Sequence, residues 1–197
     1  MPLLTLHGSS VFNTGWHKLL QVVYIMAVLL WIFTQGEQLA TDVFLGYFKL
    51  VPWHIFAGIA AALALVIWQV LILRPLSNRL LSGAYDDEVR AIRLDRAELP
   101  LALQITENIC VGFLEELIYR ALIIPIGGVL FAVLLFVIPH LARSPKGQVV
   151  VYANAFVCGF ALSLLFLWTG SLWVLVVAHA LHNIIIEILV KKCMLSF

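Results

Sequence analysis

Long apolar runs, broken by short polar or turn-forming intervals, organise this chain. A helix that crosses the hydrocarbon core of a bilayer needs about 20 largely apolar residues. Six stretches are candidates: Trp16–Phe33, Val51–Leu73, Asn108–Ile124, Gly128–Leu141, Val149–Leu167 and Leu172–Val190. The runs are continuous rather than alternating, which predicts helices and argues against a closed barrel. The first, second, fifth and sixth are clear spans. The third and fourth are short and carry charge, which makes them the informative pair. The pattern predicts an all-α integral membrane protein, a bundle of about six transmembrane helices, with no internal repeat.

Pro75 to Pro100 is the one long polar segment. Asp86, Asp87 and Glu88 precede Val89, Ile92 and Leu94, with Arg90, Arg93 and Arg96 interleaved. Acid first and base later suits the dipole of a short helix, so the segment reads either as a cytoplasmic interfacial helix or as a solvated linker. The chain is then a single membrane domain, 1–197: two N-terminal spans and the linker in 1–100, and a four-helix core in 101–197. Trp16–Phe33 is too long for the apolar part of a signal peptide and lacks a small-residue cleavage site, so it reads as a retained span.

Basic residues suggest the orientation. Lys18, then Arg74, Arg79, Arg90, Arg93 and Arg96, then Arg143 and Lys146, then Lys191 and Lys192 flank alternate ends of the spans. Because basic loops face the cytoplasm, a multi-pass cell-membrane protein with both termini cytoplasmic is expected. Trp16, Trp53, Trp168 and Trp173 fall at span ends, where an interfacial aromatic belt belongs. Composition agrees: 63% of residues are hydrophobic and 12% charged, against about 45–50% and about 25% in soluble domains. A net charge of +1 implies no nucleic-acid partner. Cys110, Cys158 and Cys193 lack metal or redox spacing and read as apolar filler.

An ionisable side chain inside a span costs roughly 2.5 to 3.5 kcal/mol, so such residues are expected to face a bundle interior or a cavity. The third span holds Glu115, Glu116 and Arg120, the fourth ends in His140, and the sixth holds His179, His182, Asn183 and Glu187. Glu116 and Arg120 are four apart, acid before base, the favourable order for a helical ion pair; that pairing would leave Glu115 free. His179 and Asn183, also four apart, share one helix face. Pro139 removes a backbone donor before His140, and a bend there would open room around its ring.

Peptide hydrolysis needs an activated water and donors for the developing oxyanion. A carboxylate in a poorly solvated place suits a general base, and imidazoles and an amide can serve as donors. Histidine with glutamate can also hold zinc, which acidifies its bound water. Glu115, His140, His179 and Asn183 supply either set, while the absence of HExxH argues against a thermolysin-type centre. The bland alternative is that these groups only tie helices together. That reading suits any one of them better than it suits the whole set.

Glu115-Glu116-Leu117-Ile118-Tyr119-Arg120 fits EExxxR, Phe136 to His140 fits FxxxH, and His179 to Asn183 fits HxxxN. Three ordered motifs in apolar segments, within Thr106 to Ile188, resemble the CPBP family. It contains the type II CAAX prenyl endopeptidases and the bacterial abortive-infection and bacteriocin-processing proteins. The resemblance implies glutamate-dependent intramembrane proteolysis. Glu115 would activate water, Glu116 and Arg120 would support it, His140 would orient the water, and His179 and Asn183 would stabilise the oxyanion. A zinc ion on His140 and His179, with Glu115, is the metal-dependent version. Two departures bear on the substrate: Ala121 follows the motif arginine where glycine is frequent, and only 15 residues separate Arg120 from Phe136.

A span that began at Leu101 would put Glu115 about 21 Å along it, at about 1.5 Å per residue, far from His140. A start near Asn108 brings Glu115 to within about 10 Å of the inner boundary and predicts a site open to the cytoplasmic half of the bilayer. The expected substrate is a membrane-tethered protein or peptide, prenylated or a leader peptide. A non-catalytic immunity or scaffold protein of the same fold is the alternative reading. A small transporter fits less well, since the hydropathy lacks the two-fold symmetry of such proteins.

Overall fold

The computed structural model describes residues 45–191 apart from 97, 98 and 143, together with positions 23, 24, 26, 27, 30 and 34. The expected first span, with Trp16 and Lys18, lies mostly outside these residues, as do Arg143 and Lys192 and the side chains of Arg93 and Arg96. The described chain is helical between short turns, and four stretches are long and apolar enough to cross a membrane: Pro52–Leu80, Leu101–Val137, Pro145–Thr169 and Leu172–Lys191. The protein is an all-α membrane protein.

In chain order, α1 is Pro52–Leu80, α2 is Ala84–Arg96, α3 is Leu101–Glu116, α4 is Ile124–Val137, α5 is Pro145–Thr169 and α6 is Leu172–Lys191. Two π-helical segments interrupt this regularity, Trp68–Leu73 inside α1 and Leu117–Ile123 between α3 and α4. Each ends two residues before a proline, Pro75 and Pro125. A proline ring clashes with the carbonyl four residues back and offers that carbonyl no donor. Those carbonyls belong to Leu71 and Ala121, both inside the widened turns, and the Arg74 N–H reaches back five residues to Gln69. The wider turns let both helices run on through their prolines, which is why α1 continues beyond Leu73, the expected end of the second span.

By length alone, Leu101–Val137 counts as one span. It is nonetheless doubled back. Gly128, at φ 80 and ψ 171, leaves the helical region. The Arg120 guanidinium lies 4.5 Å from the centre of the Phe136 ring. On a straight helix, 16 residues would hold these positions about 24 Å apart. The expected third and fourth spans are thus the two limbs of a helical hairpin, with glycine at the point where backbone freedom is required. The second limb stops at Val137, two residues before Pro139, so this proline ends the helix rather than bending it. At the other end, α3 begins at Leu101 as a helix, seven residues before Asn108.

Small residues set how closely the helices approach. A Cβ on Gly58 of α1 would fall 2.8 Å from the Val174 carbonyl and from Val177 of α6, and one on Gly112 of α3 would fall 3.3 Å from the Ala180 nitrogen. This is the small-residue packing characteristic of membrane helices. Helix α5 starts with Ser144 Oγ accepting from the Gly147 N–H at 2.9 Å and ends at Gly170 in the left-handed region, φ 60. Trp53 and Trp168 rings meet at 5.7 Å, and Trp173 donates to the Phe48 carbonyl at 2.8 Å, so three of the expected belt tryptophans anchor helix ends.

The polar segment 75–100 resolves as the end of α1 followed by α2. Ser77 Oγ accepts from the Tyr85 N–H at 2.9 Å, and Arg74 pairs with Asp86 at 2.8 Å. Ala84, Tyr85 and Val89 pack on Leu73, Val150 and Val190. Helix α2 therefore lies on the bundle rather than hanging in solvent.

Candidate active site

The six expected residues come from four places: Glu115 and Glu116 from the end of α3, Arg120 from the π segment, His140 from the turn after α4, and His179 and Asn183 from α6. Glu115, Glu116 and Arg120 are at most 1% exposed. They gather around one imidazole. His179 Nδ1 lies 2.6 Å from Glu116 Oε1, and its Nε2 lies 3.5 Å from Glu115 Oε2. A carboxyl therefore faces each nitrogen of the ring. The Arg120 Nη1 donates to the same Glu116 oxygen at 3.1 Å, and its Nη2 to the Gly159 carbonyl at 3.1 Å.

The expected Glu116–Arg120 pair is present, but it does not close on itself. Glu116 is shared between the guanidinium and the imidazole, so it orients His179 as well as neutralising Arg120. Nδ1 donates to Glu116, which leaves Nε2 directed at Glu115. Glu115 Oε1 is buried and has no hydrogen-bond partner among the described residues. Leaving such an atom unsatisfied costs on the order of 1–3 kcal/mol, more for a charged group, so this oxygen is a natural receptor for a proton.

Phe136 is the hub between the two histidines. Its ring lies under Arg120, 4.6 Å from the His140 ring and 6.2 Å from the His179 ring. Gly159 makes room for it, since a Cβ there would come within 2.9 Å of the Phe136 ring. His140 Nδ1 lies 2.7 Å from the Phe136 carbonyl. A carbonyl only accepts, so Nδ1 carries the proton and Nε2 holds the lone pair. Gln148 clamps this turn, donating to the His140 carbonyl at 2.7 Å and accepting from Ala142 at 2.9 Å.

A cavity of about 160 Å³ runs from this cluster towards α2. His140, His179 and Asn183 line it with Phe136, Leu65, Val150 and Leu162, and Tyr85 and Glu88 of α2 stand at its far end. Glu115 is not part of the wall; it stands one side chain behind it, against His179. Three of the four groups expected to meet in one pocket face it directly, and the fourth is reached through an imidazole.

Among the described residues no three His, Cys, Asp or Glu side chains group closely enough to hold a metal ion. His140 has turned one nitrogen to a carbonyl, and His179 has both directed at carboxyls.

Sequence reasoning missed several polar residues. Gln69, on the π segment of α1, lies 2.8 Å through Oε1 from His182 Nε2 and donates to the Tyr85 hydroxyl at 3.2 Å. Asn108 donates to Glu187 at 2.8 Å, joining α3 to α6. Gln69 was legible as an amide alone in an apolar run, the signal that marked the other residues.

Residues 97–185 match the family described as type II CAAX prenyl endopeptidase Rce1-like, a little under half of the chain. No curated protein and no solved structure matches. The matched segment contains all three motifs and every residue around His179, from Glu115 to Asn183. Over this segment, and so over the site, the chain is similar to the type II CAAX prenyl endopeptidase Rce1-like family.

Proposed function

We propose that the protein is an intramembrane endopeptidase that hydrolyses a peptide bond in a membrane-tethered substrate with a glutamate-activated water. The observation that carries this reading is the His179 ring held between Glu116 and Glu115 at the wall of a partly apolar cavity. With Nδ1–H donated to Glu116, the Glu115 carboxylate and the His179 Nε2 lone pair form one basic unit. Water at the cavity wall gives its proton to that unit as its oxygen bonds to the scissile carbonyl carbon. The protonated His179 and the Asn183 amide then donate to the oxyanion. As the C–N bond breaks, the proton passes to the leaving nitrogen, which restores the base.

Arg120 donates to the Glu116 oxygen that faces His179 Nδ1, and so holds the ring in place. His140, with its free Nε2 on the same cavity, accepts from the attacking water and orients it. The mostly apolar walls suit a lipidated tail, and a hydrophobic leader peptide is the other candidate. The basic flanks of the spans support a cytoplasmic opening, with α2 beside it and both termini on that side.

Purified protein is assayed on farnesylated C-terminal peptides and on leader peptides. Glu115→Gln and His179→Ala are expected to abolish cleavage while remaining folded and membrane-inserted. Cleavage by Glu115→Gln at the wild-type rate would refute the reading. Loss of cleavage in a chelator, restored by zinc, would replace it with a metal-dependent mechanism.

A further inference from the structure

A chain of hydrogen bonds outside the three motifs ends on Asn183. Tyr85 of α2 meets Gln69 at 3.2 Å, Gln69 meets His182 Nε2 at 2.8 Å, and His182 Nδ1 meets Asn183 Oδ1 at 3.2 Å. Gln69 and His182 are buried, at 8% and 6% exposure. All four residues line the cavity. We infer that Gln69 and His182 are positioning residues: with Tyr85 they form a directional relay that fixes which atom of the Asn183 amide faces the substrate. The inference rests on Asn183 being an oxyanion donor.

Direction follows from counting protons. A neutral imidazole donates through one nitrogen and accepts through the other, and the oxygen and nitrogen of an amide exchange places by a half-turn. In one ordering the Gln69 amide is turned by that half-turn from the placement in which its Nε2 faces Tyr85 and its Oε1 faces His182: the Tyr85 hydroxyl donates to the Gln69 oxygen, the Gln69 NH2 donates to His182 Nε2, and His182 Nδ1–H donates to Asn183 Oδ1. Every group is satisfied, and the Asn183 NH2 remains as a donor. In the reverse ordering Nε2–H donates to Gln69, the Asn183 NH2 is consumed by Nδ1, and a carbonyl oxygen faces the cavity. An amide oxygen repels an oxyanion, so only the first ordering serves the reaction. In that ordering the Tyr85 hydroxyl is the donor that satisfies the Gln69 oxygen.

The relay has a practical meaning. It ties the polarity of a group on α6 to α2, the helix at the outer end of the cavity, through α1. Gln69 touches no reacting atom, and its effect is confined to the orientation of the donor.

Two measurements test this on the full-length protein in detergent: 15N spectra of histidine-labelled samples, and steady-state cleavage of a farnesylated peptide. The wild-type His182 is expected to carry its proton on Nδ1. In Gln69→Leu the Nδ1–H fraction should fall and kcat should drop by on the order of 10²-fold, with KM within about twofold, as for loss of one oxyanion donor. Tyr85→Phe should produce a smaller change of the same kind. A purely structural role for Gln69 would lower the melting temperature and leave the tautomer unchanged. A wild-type ring protonated on Nε2, or wild-type kcat in Gln69→Leu, overturns the proposal. If Glu115→Gln is fully active or the wild type cleaves nothing, the protease reading falls, and the tautomer still tests the relay.

Discussion

Arg120→Met tests how the buried charges are held. Arg120 is 0% exposed, and its guanidinium has three contacts: Glu116 at 3.1 Å, the Gly159 carbonyl at 3.1 Å, and the Phe136 ring at 4.5 Å. Methionine fills much of the volume but leaves Glu116 charged and buried. Removing one partner of a buried pair costs about 3–5 kcal/mol, with the lower end expected because the His179 ring, 2.6 Å from the same oxygen, can share the charge. At about 2–4 °C per kcal/mol for a chain of this size, melting should fall by about 6–20 °C. Adding Glu116→Gln removes the stranded charge and should recover at least half of that loss, because glutamine still offers an oxygen to His179. Unfolding is followed with a thiol-reactive dye on Cys158, which is buried, after replacing Cys110, which is exposed, and Cys193 by serine. A single variant melting within about 2 °C of the parent, or a double variant no more stable than the single one, would show that the pair does not hold the charge as described.

Two further outcomes follow from packing and protonation. Gly58→Ala places a methyl 2.8 Å from the Val174 carbonyl. Overpacking of about 1–3 kcal/mol, less about 1 kcal/mol of gained helix propensity, should lower the melting temperature by a few degrees. Gly46→Ala, with nothing within 4 Å, should not, and equal melting of the two would contradict the close α1–α6 contact. Burial pushes the Tyr85 hydroxyl up to about 12 from its model-peptide value of 10.0. The unfolded chain therefore ionises first. Its contribution, of order 3 kcal/mol, is fully present below pH 10 and is lost as pH rises through 12. Melting curves should fall more steeply over that range for wild type than for Tyr85→Phe, and parallel curves would contradict the burial.

The motif residues were legible because helical spacing is rigid: four residues from Glu116 to Arg120 place both on one face whatever surrounds them. The sharing of Glu116 with His179 was not legible, because it depends on how α3 meets α6, and that is set by Gly112 against Ala180, 68 positions apart. The hairpin at Gly128 was visible as the break between two short apolar runs. The π segments were not, although Pro75 and Pro125 were in plain view, because a proline in a span predicts a stop or a kink and says nothing of a turn widened upstream. Gln69 stood out in its run, but a lone amide carries no address for its partner on another helix.

The hairpin also bears on how the protein is made. Glu116, Arg120, Phe136 and His140 lie within 25 consecutive residues, so this half of the site can form as soon as the two limbs leave the ribosome. Gly159 and His179, which complete the arginine and the imidazole cluster, are synthesised later. Until they arrive, the Glu115 carboxyl has no helix to shield it from acyl chains. The hairpin is thus poorly suited to enter lipid alone, and its release from the insertion machinery is best delayed until α5 and α6 can enter with it. The complete His179 cluster would then form last, together with the final helix.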